Sequence, residues 1–94
     1  RARMVNEISR LYPGCPAGRA AEIAEHTTVR GSGRVGRTAA ARGLDARALE
    51  FAVVASIRHR DTRYDELLMA GWDRGGARAE VQADVVRVLA EWTR

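Results

Sequence analysis

Apolar residues in this chain recur at steps of three and four, and no stretch alternates apolar with polar over the length of a strand. That is the helical period, so the chain has one way to bury apolar surface: as amphipathic helices packed on one another. Met4, Val5, Ile8, Leu11 and Tyr12 set a first helix over residues 2–12. Pro13 and Gly14 stop it, because proline lacks the N–H that the next turn would use. Pro16 suits the opening turn of a second helix, where a missing donor costs nothing. Ala20, Ile23, Ala24 and Thr27 line one face of that helix, which is expected to end near Val29.

Glycines at 31, 33 and 36 then exclude a regular helix. Thr38 can cap a short helix through Ala39, Ala40 and Ala41, closed by Gly43. Asp45 is an N-cap candidate, with Leu44 and Leu49 placed as a hydrophobic staple. The next helix, 46 to about 60, aligns Leu49, Val53 and Ile57, while Phe51, Val54 and Ala55 widen that stripe nearly all round. Such a helix belongs at the centre of the core. Thr62 and Asp65 resemble a capping box for a short helix over 63–70 carrying Tyr64, Leu67 and Leu68. Gly71 suits a left-handed C-cap, with Trp72 folding back on Leu67. Asp73 can cap a last helix, weakened at its start by Gly75 and Gly76, whose stripe is Val81, Val85, Val88, Leu89 and Trp92. Both tryptophans are assigned to packing, which leaves Tyr12 and Tyr64 as the better candidates for exposed rings.

The expected architecture is therefore all-α: a compact single-domain bundle of five to six helices, residues 1–94, around a central helix at about 46–60. Composition agrees. Alanine is abundant, with 17 residues, and aromatic residues are few, with 5. No apolar run approaches the ~18 residues of a membrane span. A single cysteine, Cys15, excludes a disulfide framework and a four-cysteine zinc site, and fits a cytoplasmic protein. The chain starts at Arg1 rather than Met, so it is expected to be a fragment, a processed form or the ordered part of something longer.

Charge is unevenly placed. Residues 1–60 hold 11 arginines against 5 acids, and residues 61–94 hold 5 against 7. Between His26 and Leu44 stand Arg30, Arg34, Arg37 and Arg42 with no acid. Lysine is absent, so GC-rich coding accounts for much of the arginine total, and placement carries more meaning than number. Here the arginines share a stretch with glycines, which let a ligand approach backbone N–H groups. A helix start at Thr38 would add further donors. Guanidinium groups grip phosphate bidentately. The bland alternative is a solvated loop whose arginines pair with carboxylates elsewhere.

Three stretches carry a resemblance: Leu11 to Ala20 (LYPGCPAGRA) with Glu22 to His26 (EIAEH), Gly33 to Arg42 (GRVGRTAAAR), and Ile57 to Leu68 (IRHRDTRYDELL) with the closing Val88 to Trp92 (VLAEW). In these the chain resembles a bacterial family catalogued as domain of unknown function 2293, from about residue 8 onward. The family has no established activity to transfer, so the resemblance implies no site residue. Gly75-Gly76 departs from it, where a more helix-prone pair is expected.

Other motifs are weaker. Gly31 to Gly36 spells G-x-G-x-x-G, but no strand precedes it and no βαβ unit surrounds it. His59-Arg-Asp61 copies three letters of a kinase loop in a chain too short for a kinase. With Tyr64 and Asp65 it marks a polar helix junction, for which capping and pairing are the simpler explanation. Cys15, His26 and His59 match no familiar zinc spacing, so no metal or cofactor is expected.

The leading expectation is a non-catalytic helical module that binds nucleic acid through phosphates. Arg30, Arg34 and Arg37 would make the main contacts, flanked by Arg42 and Arg19, with N–H groups from Gly33, Gly36 and Thr38. The rival is a protein-interaction or homodimerisation module, suggested by a modest core and alanine-rich helices.

Overall fold

The computed structural model describes residues 2–31 and 46–94. Five helices follow one another: α1 (Ala2–Leu11), α2 (Ala17–Gly31), α3 (Ala46–Asp61), α4 (Tyr64–Met69) and α5 (Arg74–Trp92), and no strand occurs among the described residues. The architecture is all-α, and α3 is its hub, touching α2, α4 and α5. Helix α2 runs through Gly31, two residues past the expected end. The expected helix at Thr38–Ala41 and the Asp45 cap with its Leu44 staple lie outside the described residues.

The core is one cluster drawn from every helix. Ile8 comes from α1, Ala20 and Ile23 from α2, Leu49, Val53 and Ile57 from α3, Leu67 from α4, and Ala77, Val81, Val85, Val88 and Trp92 from α5. Each fully buried aliphatic side chain contributes about 1.5–3 kcal/mol. The α3 stripe is narrower than the sequence predicts. Leu49, Val53 and Ile57 are buried, Val54 is half-buried, and Phe51 is 77% exposed. Neighbours cover one face of α3, so hydrophobicity all round the helix does not become burial all round.

Two glycines set the path of the chain. Gly71 has φ +102°, the left-handed geometry that favours glycine. Around it Trp72 N–H donates to the Leu67 carbonyl and Gly71 N–H to the Leu68 carbonyl, both at 3.0 Å, which is the Schellman closure expected for α4. The Trp72 side chain nonetheless stays 42% exposed rather than joining the core. Gly14 serves a close approach instead. Its N–H donates to the Trp92 carbonyl at 2.7 Å, and a Cβ there would lie 2.3 Å from the Glu91 carbonyl oxygen. The α1–α2 turn thus sits directly on the C-terminal end of α5. It satisfies a carbonyl that the helix itself leaves open.

The Thr62–Asp65 capping box does not form. Helix α4 starts at Tyr64 with Arg63 at its N-cap, so Asp65 falls one position short of the third helical residue such a box needs. Thr62 Oγ1 instead accepts from Tyr64 N–H at 3.1 Å and donates to the Arg58 carbonyl, bridging α3 to α4. Asp65 pairs with His59. At the start of α5, Asp73 has extended backbone as its N-cap but makes no side-chain cap hydrogen bond. Its carboxylate lies over the glycine pair, 2.8 Å from where a Cβ on Gly76 would stand. Gly75 and Gly76, a weakness for propensity, leave room for that carboxylate at the positive end of the helix.

Candidate nucleic-acid interface

Of the residues assigned to phosphate contact, Gly33, Arg34, Gly36, Arg37, Thr38 and Arg42 lie outside the described residues, and Arg30 is placed only as backbone in the last turn of α2. Arg19 is described, and its surroundings are internal. Its Nη1 is 2.9 Å from Asp61 Oδ2, its Nη2 donates to Ser56 Oγ at 2.8 Å, and its Nε lies 3.5 Å from Glu22 Oε1. The guanidinium carbon stands 5.0 Å from the centre of the Trp92 ring. Only 17% of the side chain remains exposed. One planar fork therefore ties α2 to α3 while stacking on the end of α5. Both terminal nitrogens are occupied within the protein, while the buried Nε makes no hydrogen bond.

The same pattern extends across the described surface. Arg10 pairs with Glu7, Arg60 with Glu22, Arg63 with Glu80 at 3.6 Å, and Arg87 with Asp84 at 3.1 Å. Arg58 stacks over the Tyr64 ring at 5.6 Å. Exposed pairs of this kind stabilise little, about 0–1 kcal/mol each. Their larger effect is to neutralise the field of the body. Residues 2–27 and 46–94 hold 11 arginines and 11 acids. The net +4 of the chain is therefore carried by Arg1 and by residues 28–45, where four arginines meet only Asp45.

A groove of about 260 Å³ separates α2 from α3, lined by Glu22, His26, Ser56, His59 and Arg60 with apolar walls from Ile23, Ala52 and Ala55. It brings both histidines to one concavity. The remaining polar junction divides, because His59 turns to Asp65 on α4 while Asp61 turns to Arg19 on α2. Among the described residues no group of three His, Cys, Asp or Glu side chains is arranged to hold a metal ion. Cys15 is buried beside Pro16, and burial pushes its thiol up from the ordinary range. Arg19 acts against that rise and Asp61 with it. Tyr12 is buried at 9% exposure rather than offered to solvent, and burial, with the charge of Glu50, raises its hydroxyl.

The sequence reading missed a second concavity. Arg47, Glu50, Phe51, Val54 and Arg58 line a groove of about 320 Å³ on the outer face of α3. Hydrophobicity alone points Phe51 toward the core. The signal for exposure was the spacing of its neighbours: 47, 51, 54 and 58 follow a helical line that two arginines begin and end.

No described helix is long and apolar enough to cross a membrane. No curated protein and no solved structure is similar enough to the chain to count as a match. One family model does match, over residues 7–93, which is nearly the whole chain and includes every helix core just described. This chain belongs to the family of uncharacterised conserved proteins DUF2293.

Proposed function

We propose that this chain is a non-catalytic module that binds nucleic acid through its phosphates, with Arg30, Arg34, Arg37 and Arg42 as the principal contacts. One observation carries the reading: the described body is balanced in charge and its arginines are largely paired, so the excess positive charge is concentrated in one glycine-rich segment. A polyanion meeting this protein is drawn to that segment and not to the body. Arg19 is left out of the contact set because its guanidinium donates to Asp61 and Ser56 and stacks on Trp92. A cytoplasmic setting is in keeping with the single buried thiol of Cys15.

The test is fluorescence anisotropy with a labelled duplex and a labelled single strand at about 50 and 200 mM salt. Four neutralised phosphates give a slope of about −3.6 in log K against log salt for a duplex, hence a loss of roughly 100-fold between those conditions. Arg34→Ala/Arg37→Ala removes about half of that slope. Absence of binding at the lower salt overturns the proposal. A second reading, a protein-interaction or self-associating module, draws on the exposure of Met69 at 88% and Val86 at 53%. Sedimentation across a concentration series separates the two, since the first reading needs no self-association.

A further inference from the structure

Helix α5 is apolar on two opposite sides. Val81, Val85, Val88 and Trp92 face the core. Ala79, Ala83, Val86 and Ala90 each stand two residues before one of these, and two residues are about 200° around a helix. The second row therefore points away from the core. All four of its residues are exposed, Val86 by 53%. They repeat the core spacing of four, three and four. At one end of the row, Trp72 is 42% exposed and has Cε3 3.8 Å from where a Cβ on Gly76 would stand, so the indole extends the apolar face past Ala79. A surface helix with one buried face ordinarily turns charged and polar residues outward. Here the outward face is apolar over about 16 Å, from Ala79 to Ala90.

The charges beside this row select what covers it. Glu80 and Arg87 lie on the same edge, each one residue past a member of the row. Let an identical helix lie antiparallel, with Ala79 against Ala90 of the second copy and Ala83 against its Val86. In a coiled coil with this spacing, that one alignment also sets Glu80 opposite Arg87 of the second copy, and Arg87 opposite its Glu80. A parallel pairing sets Glu80 beside Gly75 and Arg87 beside Gln82, with no opposite charges joined. Both residues have contacts in their own chain, and both contacts are compatible with the new pair. Arg63 Nη2 is 3.6 Å from Glu80 Oε2, beyond hydrogen-bond reach. Arg87 gives only Nη1 to Asp84 Oδ1.

We propose that α5 pairs antiparallel with α5 of a second copy of this chain, through Ala79, Ala83, Val86 and Ala90. Trp72 closes each end, and two Glu80–Arg87 pairs fix the register. The contact is isologous, so it closes as a dimer and does not propagate. Alanine lets the helix axes approach to about 8 Å but adds little area, which places the interface in the weak class below about 1,200 Å². The proposal deepens the self-association reading, on which it rests. It takes nothing from the phosphate reading, whose arginines lie in residues 30–42.

The experiment is sedimentation from about 10 to 500 μM protein at about 50 mM salt, which spares the ion pairs from screening. The unaltered chain is expected to pass from monomer to dimer across that range. Ala83→Glu sets a charge in the middle of the row and keeps the chain monomeric. Its melting temperature at the lowest concentration stays within a few degrees, since Ala83 is exposed. Glu80→Arg and Arg87→Glu each oppose like charges twice and weaken the dimer about tenfold or more. The double variant Glu80→Arg/Arg87→Glu restores it to within a factor of about three, because both pairs return with their signs exchanged.

The ways of failing are distinct. A monomer at every concentration overturns the self-association reading and this surface with it. A dimer that persists in Ala83→Glu leaves self-association standing and overturns the surface. Single reversals that weaken the dimer without rescue by the double variant overturn the antiparallel register. A marked drop in the melting temperature of Ala83→Glu means that the chain's own residues cover the face, which overturns the proposal. A dimer lost in Arg34→Ala/Arg37→Ala places the contact in the cationic segment and overturns it too.

Discussion

Gly14 is the position where one added methyl group tests how the helices are assembled. A Cβ there would meet the Glu91 carbonyl oxygen at 2.3 Å, Trp92 Cα at 3.0 Å and the Glu91 carbonyl carbon at 3.2 Å, where real Cβ atoms essentially never approach within 3.0 Å. All three are backbone atoms of α5, so no side chain can swing aside. The α1–α2 turn must retreat by about 0.7 Å to bring the shortest of these contacts from 2.3 to 3.0 Å. Among the described glycines only Gly71 has positive φ, so alanine at 14 is opposed by contact and not by its own dihedrals. Overpacking of this kind costs about 1–3 kcal/mol. Retreat also stretches the 2.7 Å bond from Gly14 N–H to the Trp92 carbonyl, worth about 1 kcal/mol more. A domain of this size loses about 4–8 °C of melting temperature per kcal/mol, so Gly14→Ala should melt about 10–25 °C below the unaltered chain. Gly18→Ala, four residues on, is the control. Nothing lies within 4 Å of its Cβ position, and it falls in the first turn of α2. It should leave stability unchanged or raise it by up to about 1 kcal/mol. Thermal melts by circular dichroism decide. If Gly14→Ala melts within a few degrees of the unaltered chain, the turn is not seated on α5, and the account of how α1 and α2 join the bundle is wrong.

Arg19→Met should cost about 2 kcal/mol in denaturant unfolding, because it strands Asp61 and removes the hydrogen bond to Ser56 and the stack on Trp92. It should leave the salt slope of nucleic-acid binding unchanged; a slope shallower by about one would return Arg19 to the phosphate contacts. Stability should also fall in alkali. Tyr12 and Cys15 both hold their protons more tightly when folded than their ordinary values of 10.0 and 9.0 imply. Below those values both states are protonated and the full stability is present. As pH rises through them the unfolded chain releases protons first and is favoured. A denaturation midpoint that stays level from about pH 8 to 11 refutes that sign.

Much of the fold was legible in the sequence because helical propensity and periodicity are local. The stops at Pro13-Gly14 and the left-handed Gly71 were readable because proline and glycine change the backbone by themselves. The core stripe of α5 followed from spacing, and Val81, Val85, Val88 and Trp92 are all buried. For the candidate interface, the cationic segment was readable as a charge run, since counting charge needs no coordinates.

Packing decided the rest. Hydrophobicity placed Phe51 and Trp72 inside, but which face of a helix is covered depends on where its neighbours lie, and both rings are exposed. Gly14 reads in sequence as a helix stop, and only its approach to Glu91 and Trp92, far along the chain, makes it a contact point. Arg19 looked available for a ligand until α3 and α5 brought Asp61, Ser56 and Trp92 to it. The sequence by itself determined the all-α class, the five helices seen among the described residues and where the unbalanced charge resides, because propensity, turn chemistry and net charge are properties of neighbouring residues. The tertiary structure decided which arginines are occupied and which rings are free, because partners separated by tens of residues meet only when the helices pack.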